Sequence, residues 1–147
     1  MTTATIAQVI DKLATLQKAI EGVKAAFGHN QAPDALRPAM LPCFVSVPGE
    51  AEPFAEVFAR SAIVSQRTYR MLLYVCPVSQ PSEVAKQADL VEPFFDRVLA
   101  KFKAEIDLDG LEIVQAQYLG DAGLDVLEYA GQLYAGIEFR LRVDRQL

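Results

Sequence analysis

Near the end of the chain, Ile137, Phe139, Leu141 and Val143 alternate with Glu138, Arg140, Arg142 and Asp144. This is the two-residue period of a strand with one apolar and one charged face. A slip of one residue would drive the charges into a core, so the pattern fixes its own register, and residues 129–144 become the element on which the rest is expected to pack. At the other end, Ile6, Val9, Ile10, Leu13, Leu16, Ile20, Val23 and Phe27 recur at spacings of three and four. That stripe predicts one amphipathic helix over residues 4–27, stopped by Gly28 and Asn30. Residues 28–42 carry Pro33, Pro38 and Pro42 without a period and predict a loop.

Leu41 to Val47 predicts a strand with Cys43, Val45 and Val47 on one face and Phe44 and Ser46 on the other, ended by Pro48 and Gly49. Residues 51–61 fit both a helical face and a protruding ribbon, and the conformation of 50–62 stays open. Over residues 63–78, Tyr69, Met71, Leu73 and Val75 oppose Arg70, Leu72, Tyr74 and Cys76, with Pro77 closing the run. Both faces are largely apolar after Arg70, as in a central strand covered on both sides. Ser82 is the expected N-cap of a second helix, in which Val84, Ala88, Val91, Phe95, Val98, Phe102 and Ile106 keep a three-and-four spacing. Pro93 is expected to kink it. Residues 111–119 predict a strand, Gly120 to Gly123 a turn, and residues 124–129 a short strand before the last one. The order predicts an α+β fold in a single domain, 1–147: an antiparallel sheet of about four to five strands with two amphipathic helices packed on one face. Phe95, Val98 and Phe102 are expected over Ile137, Phe139 and Leu141.

Composition narrows the function classes. The 147 residues are 52% hydrophobic and 22% charged, enough for a core without staples and slightly rich in apolar surface. A formal net charge of −5 disfavours gripping nucleic acid, which relies on Lys and Arg to neutralise phosphates. No basic leader and no run of about 18 apolar residues occurs, so neither secretion nor a membrane span is expected, and the cytoplasm is the expected compartment. Cys43 and Cys76 lie in apolar runs and are expected to be small buried hydrophobes. His29 lies alone in the loop without a nucleophile or carboxylate motif beside it. Asp107, Asp109 and Glu112 are acidic in the manner of a solvated connection. No nucleophile and base pair, metal-ligand spacing or phosphate cradle is visible, so no catalytic, cofactor-binding or metal-ligating residue is assigned and no enzyme is expected.

The charged strand face is the remaining candidate. With Arg67 and Arg70 on a neighbouring strand, the set Arg67, Arg70, Glu138, Arg140, Arg142 and Arg145 forms a mixed-sign patch. Such a patch is either a solvated face or a subunit interface whose alternating signs set register. Arg67, Arg70, Glu138, Arg140 and Arg142 are the interface candidates, and reversing the charges of Arg140 and Arg142 is expected to spare the fold.

Four stretches carry a family resemblance: Leu41 and Pro42 through Val47, Pro48 and Gly49; Arg67 to Val75; Val91 to Phe95; and Leu119, Gly120 and Asp121 with Tyr134 to Phe139. Together they resemble small structural proteins of tailed-phage and prophage morphogenesis clusters, the tail terminators and head-tail joining (minor tail) proteins. The resemblance implies a non-catalytic, cofactor-free homo-oligomer, commonly a hexameric ring for terminators. Such a ring meets the tail tube and the head connector, is assembled in the host bacterial cytoplasm and is found in the virion tail or neck. It implies neither membrane nor specific nucleic-acid binding. Two other classes stay open on the residues alone: a monomeric adaptor that uses the charged face, and a small enzyme with a dispersed site.

Overall fold

The computed structural model describes residues 3–52, 55–57 and 62–146. The chain runs α1 (Ile6–Lys18), β1 (Ala25–Phe27), β2 (Cys43–Ala51), β3 (Ala55–Val57), β4 (Ala62–Val78), α2 (Ala88–Val91), α3 (Pro93–Phe102), β5 (Gln115–Tyr129) and β6 (Gln132–Gln146). The α+β class is as expected. The strands form one sheet in the order β1-β2-β4-β6-β5, with β3 also on β4. The sheet is mixed: β1 runs parallel to β2, while every other pairing is antiparallel.

The parallel strand comes from residues expected to be helical. α1 begins where a capping box forms, the Thr5 hydroxyl accepting from the Gln8 amide at 3.1 Å while the Gln8 side chain accepts from the Thr5 amide at 2.9 Å. It ends at Lys18, not at Phe27. Ala25, Ala26 and Phe27 instead pair with Cys43, Phe44 and Val45. Ala26 then faces the helix-covered core, while Ala25 and Phe27 join a cluster on the opposite sheet face. Spacings of three and four across a turn mimic a helix, and strand pairing overrides them.

α1 lies over the β1-β2 half of the sheet, and α2 and α3 lie over the β6-β5 half. Between helices and sheet, Leu13, Val98 and Phe102 share a core with Phe44, Met71, Leu73, Ile137, Phe139 and Leu141, and Phe95 packs at its margin. A buried polar tie crosses it: the Gln17 amide donates to the Ser46 hydroxyl at 2.8 Å. The expected helix at residues 82–106 is broken into pieces. A 3-10 segment, Pro81–Gln87, precedes α2, with Gln80 rather than Ser82 in the N-cap position and no side-chain capping bond; Pro93 starts α3; and Ile106 lies past the helix end, 64% exposed. A proline at the first helical position loses no bond that the helix needs, which makes Pro93 a start rather than a kink.

Two expected strand stops are not stops. β2 continues through Pro48, which pairs with Tyr69, and Gly49 to Ala51. Beyond Val45 no described strand pairs β2 on its other side, so the missing N–H of Pro48 costs no ladder bond. Likewise Gly120 to Gly123 is not a turn. β5 runs straight through it with register shifts between Tyr118 and Gly120 and between Asp121 and Leu124. Gly120 and Gly123 take φ of +101° and +85° there, conformations that bulged strands assign to glycine. Of the open stretch 50–62, residues 55–57 form β3 on the start of β4, and residues 53–54 and 58–61 lie outside the described residues.

Candidate functional site

The second face of the sheet divides in two. Toward one end, Cys43, Tyr74 and Tyr134 are buried beneath Leu36 of the loop 28–42. Tyr74 meets Tyr129 and Tyr134 edge-on at 5.5 Å each, and the Tyr129 hydroxyl donates to the Pro33 carbonyl, tying the loop down. No described element covers the other half, where the charged side chains of β4 and β6 project.

Strand register assembles the charges. Arg70 of β4 lies directly opposite Arg140 of β6, an arrangement that repels unless a counter-charge intervenes. Glu138, two residues along β6 on the same face, is that counter-charge. Its Oε1 accepts from Arg70 Nε at 2.7 Å, with Arg70 Nη2 at 2.6 Å, and its Oε2 accepts from Arg140 Nε at 2.8 Å. The Glu138 side chain is 12% exposed, whereas those of Arg70 and Arg140 are 50% and 52% exposed. The carboxylate is therefore enclosed, and both guanidiniums face outward. Further along, Arg142 Nε lies 3.2 Å from Asp144 Oδ1, and the Gln115 amide of β5 donates to Asp144 Oδ2 at 2.9 Å. Asp144 is buried, contrary to a simple alternation of exposed charges, because Gln115 lies directly across from it.

Within this cluster three arginines thus stand against two enclosed carboxylates. Arg67 and Arg145 do not belong to it. Arg67 pairs with Val143 and Arg145 with Ser65, so both project from the helix-covered face, where they donate to the carbonyls of Gly49 and Ala4 at 2.8 and 3.0 Å. Of the expected patch, the structure joins Arg70, Glu138, Arg140 and Arg142, and adds Asp144 and Gln115.

Burial would raise the Glu138 pKa, but hydrogen bonds from Arg70 and Arg140, with their charges, outweigh it and hold the carboxyl below its ordinary value. A carboxylate depressed on folding stabilises the fold above its unfolded pKa, about 4.3, and that contribution disappears as pH falls through the folded pKa. Glu138→Gln is accordingly expected to lower stability at pH 7 and to flatten the loss of stability on acidification below about pH 5. Chemical denaturation at a series of pH values reads this; acid limbs of equal slope in both proteins would remove the clamp.

The other candidate residues are spread out. Cys43 and Cys76 are free, on opposite faces of the sheet, and burial pushes the Cys43 thiol up to about 12. His29 is exposed, its backbone N–H bound by the Asp11 carboxylate at 2.8 Å. Asp109 lies 4.0 Å from the Lys12 ammonium. Among the described residues no three His, Cys, Asp or Glu side chains gather at metal-binding distance, and no helix is long and apolar enough to cross a membrane. No protein-family model matches the chain, and no curated protein matches it.

Proposed function

We propose that this chain is a structural subunit of a phage or prophage tail or neck, a ring-forming tail terminator or head-tail joining protein that works by self-association and without catalysis. The observation that carries this reading is the charged half-face itself. Arg70, Arg140 and Arg142 are held outward by enclosed carboxylates on strands whose opposite face already secures the fold. Adjacent to it the loop 28–42 covers the same sheet face, so the uncovered half is a discrete platform. Held charges of alternating sign orient a neighbour and set its register. The outer side of β5 past Ala116, whose own N–H donates to the Ile106 carbonyl, and the stretch of β2 past Val45 add strand edges without a partner strand among the described residues, a second means of joining subunits. The partners in this reading are further copies of the chain, the tail tube and the head connector.

Mass by light scattering over a range of concentrations, with negative-stain images, tests it. Rings are expected, and a mass that stays monomeric at the highest concentration counts against it. Substitution then asks whether the platform is the contact. Reversing Arg140 and Arg142 is not neutral to the fold, because new carboxylates would be set against Glu138 and the buried Asp144. Arg70→Gln and Arg140→Gln are cleaner, since each leaves one arginine on Glu138. Each is expected to change monomer stability by less than about 1 kcal/mol and to weaken association about tenfold or more. Unchanged assembly in both would move the contact to a strand edge.

A further inference from the structure

Arg67 and Arg145, displaced from the expected patch, form a different constellation. On the helix-covered face they are diagonal neighbours, since Arg67 lies across from Val143 and Arg145 across from Ser65. Tyr69 is two residues from Arg67 on that same face and is completely buried. Each guanidinium is fixed by one bond from Nη1 to a backbone carbonyl, of Gly49 for Arg67 and of Ala4 for Arg145. Their Nε atoms and the Tyr69 hydroxyl are buried, and none of the three has a hydrogen-bond partner among the described residues. No ion pair among the described residues includes either arginine.

Buried donors without acceptors are rare in folded proteins, and here two of them belong to half-buried, like-charged side chains at diagonal positions of the β4-β6 pair. The donors left over are informative in kind. With Nη1 anchored, the unspent edge of each arginine is the Nε and Nη2 side, two parallel N–H groups that match two oxygens of one oxyanion. The phenol hydroxyl adds a neutral donor. Burial pushes the Tyr69 hydroxyl pKa up, while the charges of Arg145 and Arg67 pull it down. An oxyanion on this face would supply the acceptor that these donors lack.

We propose that Arg67, Arg145 and Tyr69 form an oxyanion-binding site, separate from the charged platform, for a carboxylate or phosphate-type group. Two sources share this chemistry. A carboxylate can come from a second copy of this chain, whose 19 acidic residues against 14 basic ones supply an excess, or the ligand is a free anion. The site stands apart from the tail reading, because a chain that never assembles can still bind the anion.

Inorganic phosphate titrated into the full chain, against sodium chloride at matched ionic strength, is the test, read by calorimetry and by melting temperature. The wild type is expected to bind saturably and to melt higher with phosphate than with chloride. Arg67→Gln and Arg145→Gln are each expected to weaken phosphate binding about tenfold, as loss of a charge-assisted fork does. Tyr69→Phe keeps the ring in the core, removes only the hydroxyl, and is expected to weaken binding severalfold. A phosphate response equal to that of chloride, or one retained in all three variants, overturns the site. The source is read from the mass at high concentration with and without phosphate. A fall in mass identifies a neighbour's carboxylate as the occupant, and an unchanged mass with phosphate bound identifies a free anion. Assembly without any phosphate response would leave the subunit reading standing and remove this site.

Discussion

Replacing Phe139 by alanine is expected to cost the fold about 3 to 5 kcal/mol, much of the roughly 5 to 15 kcal/mol that holds a typical domain together. The ring is wholly buried on the central strand pair, opposite Met71 of β4, and it meets Phe44 at 6.0 Å with the planes tilted by 48°. It thus joins the half of the core under α1 to the half under α3. Neither helix can close the space without leaving its own strands, so a cavity is expected to persist. Chemical denaturation measures the loss. A double-mutant cycle with Phe44→Ala should return a coupling of about 0.5 to 1.5 kcal/mol, the usual worth of an aromatic pair beyond its buried area. Phe102→Ala, under α3, is expected to fall in the same range as Phe139→Ala, and a loss below about 1 kcal/mol at both positions would refute the packing.

Those core positions were legible because β6 declares itself: strict alternation admits only one register, and Ile137, Phe139, Leu141 and Val143 are all fully buried. β4 was legible for the same reason, and its central place between β2 and β6 follows from apolar residues on both faces. Local pattern failed where partners distant in sequence decide the outcome. Nothing local distinguishes Ala25 to Phe27 as a strand, since the evidence is Cys43 to Val45 alongside. Bulges in β5 look like a turn because the same glycines serve both, and only pairing with Arg140 and Phe139 shows that the strand continues.

The site was partly legible. Alternation alone assigns Arg67 and Arg70, three residues apart, to opposite faces, and puts Arg145 with Val143 rather than with Arg142. That signal was in the sequence, and grouping all the arginines together ignored it. The clamp on Glu138 was not legible, because it depends on Arg70 lying directly opposite Arg140, a matter of register between strands. Burial of Asp144 likewise needs Gln115 from a third strand.

Gly136→Ala is expected to cost about 3 kcal/mol or more, at the upper end of what overpacking does. Gly136 lies on β6 between Tyr74 of β4 and Asp125 of β5, beside the register shift between Tyr74 and Cys76. A Cβ there would collide with the Leu73 carbonyl oxygen and lie 2.8 Å from Leu127 Cδ1. A leucine methyl can rotate away, but the Leu73 carbonyl belongs to the central strand and moves only if the β4-β6 ladder shifts with it. Gly131, at the tip of the β5-β6 hairpin, is the control. Its φ of +82° disfavours alanine, yet nothing lies within 4 Å of where a Cβ would go. Gly131→Ala therefore isolates backbone strain and is expected to cost about 1 kcal/mol. Equal costs at the two positions, measured by denaturation, would show that strand approach is not what requires Gly136. With the larger cost, displacement of β6 should also carry Glu138, two residues on, away from Arg70. Arg70 would then lose the carboxylate that holds it outward and, on the subunit reading proposed above, light scattering should show weaker association even under conditions where the variant remains folded.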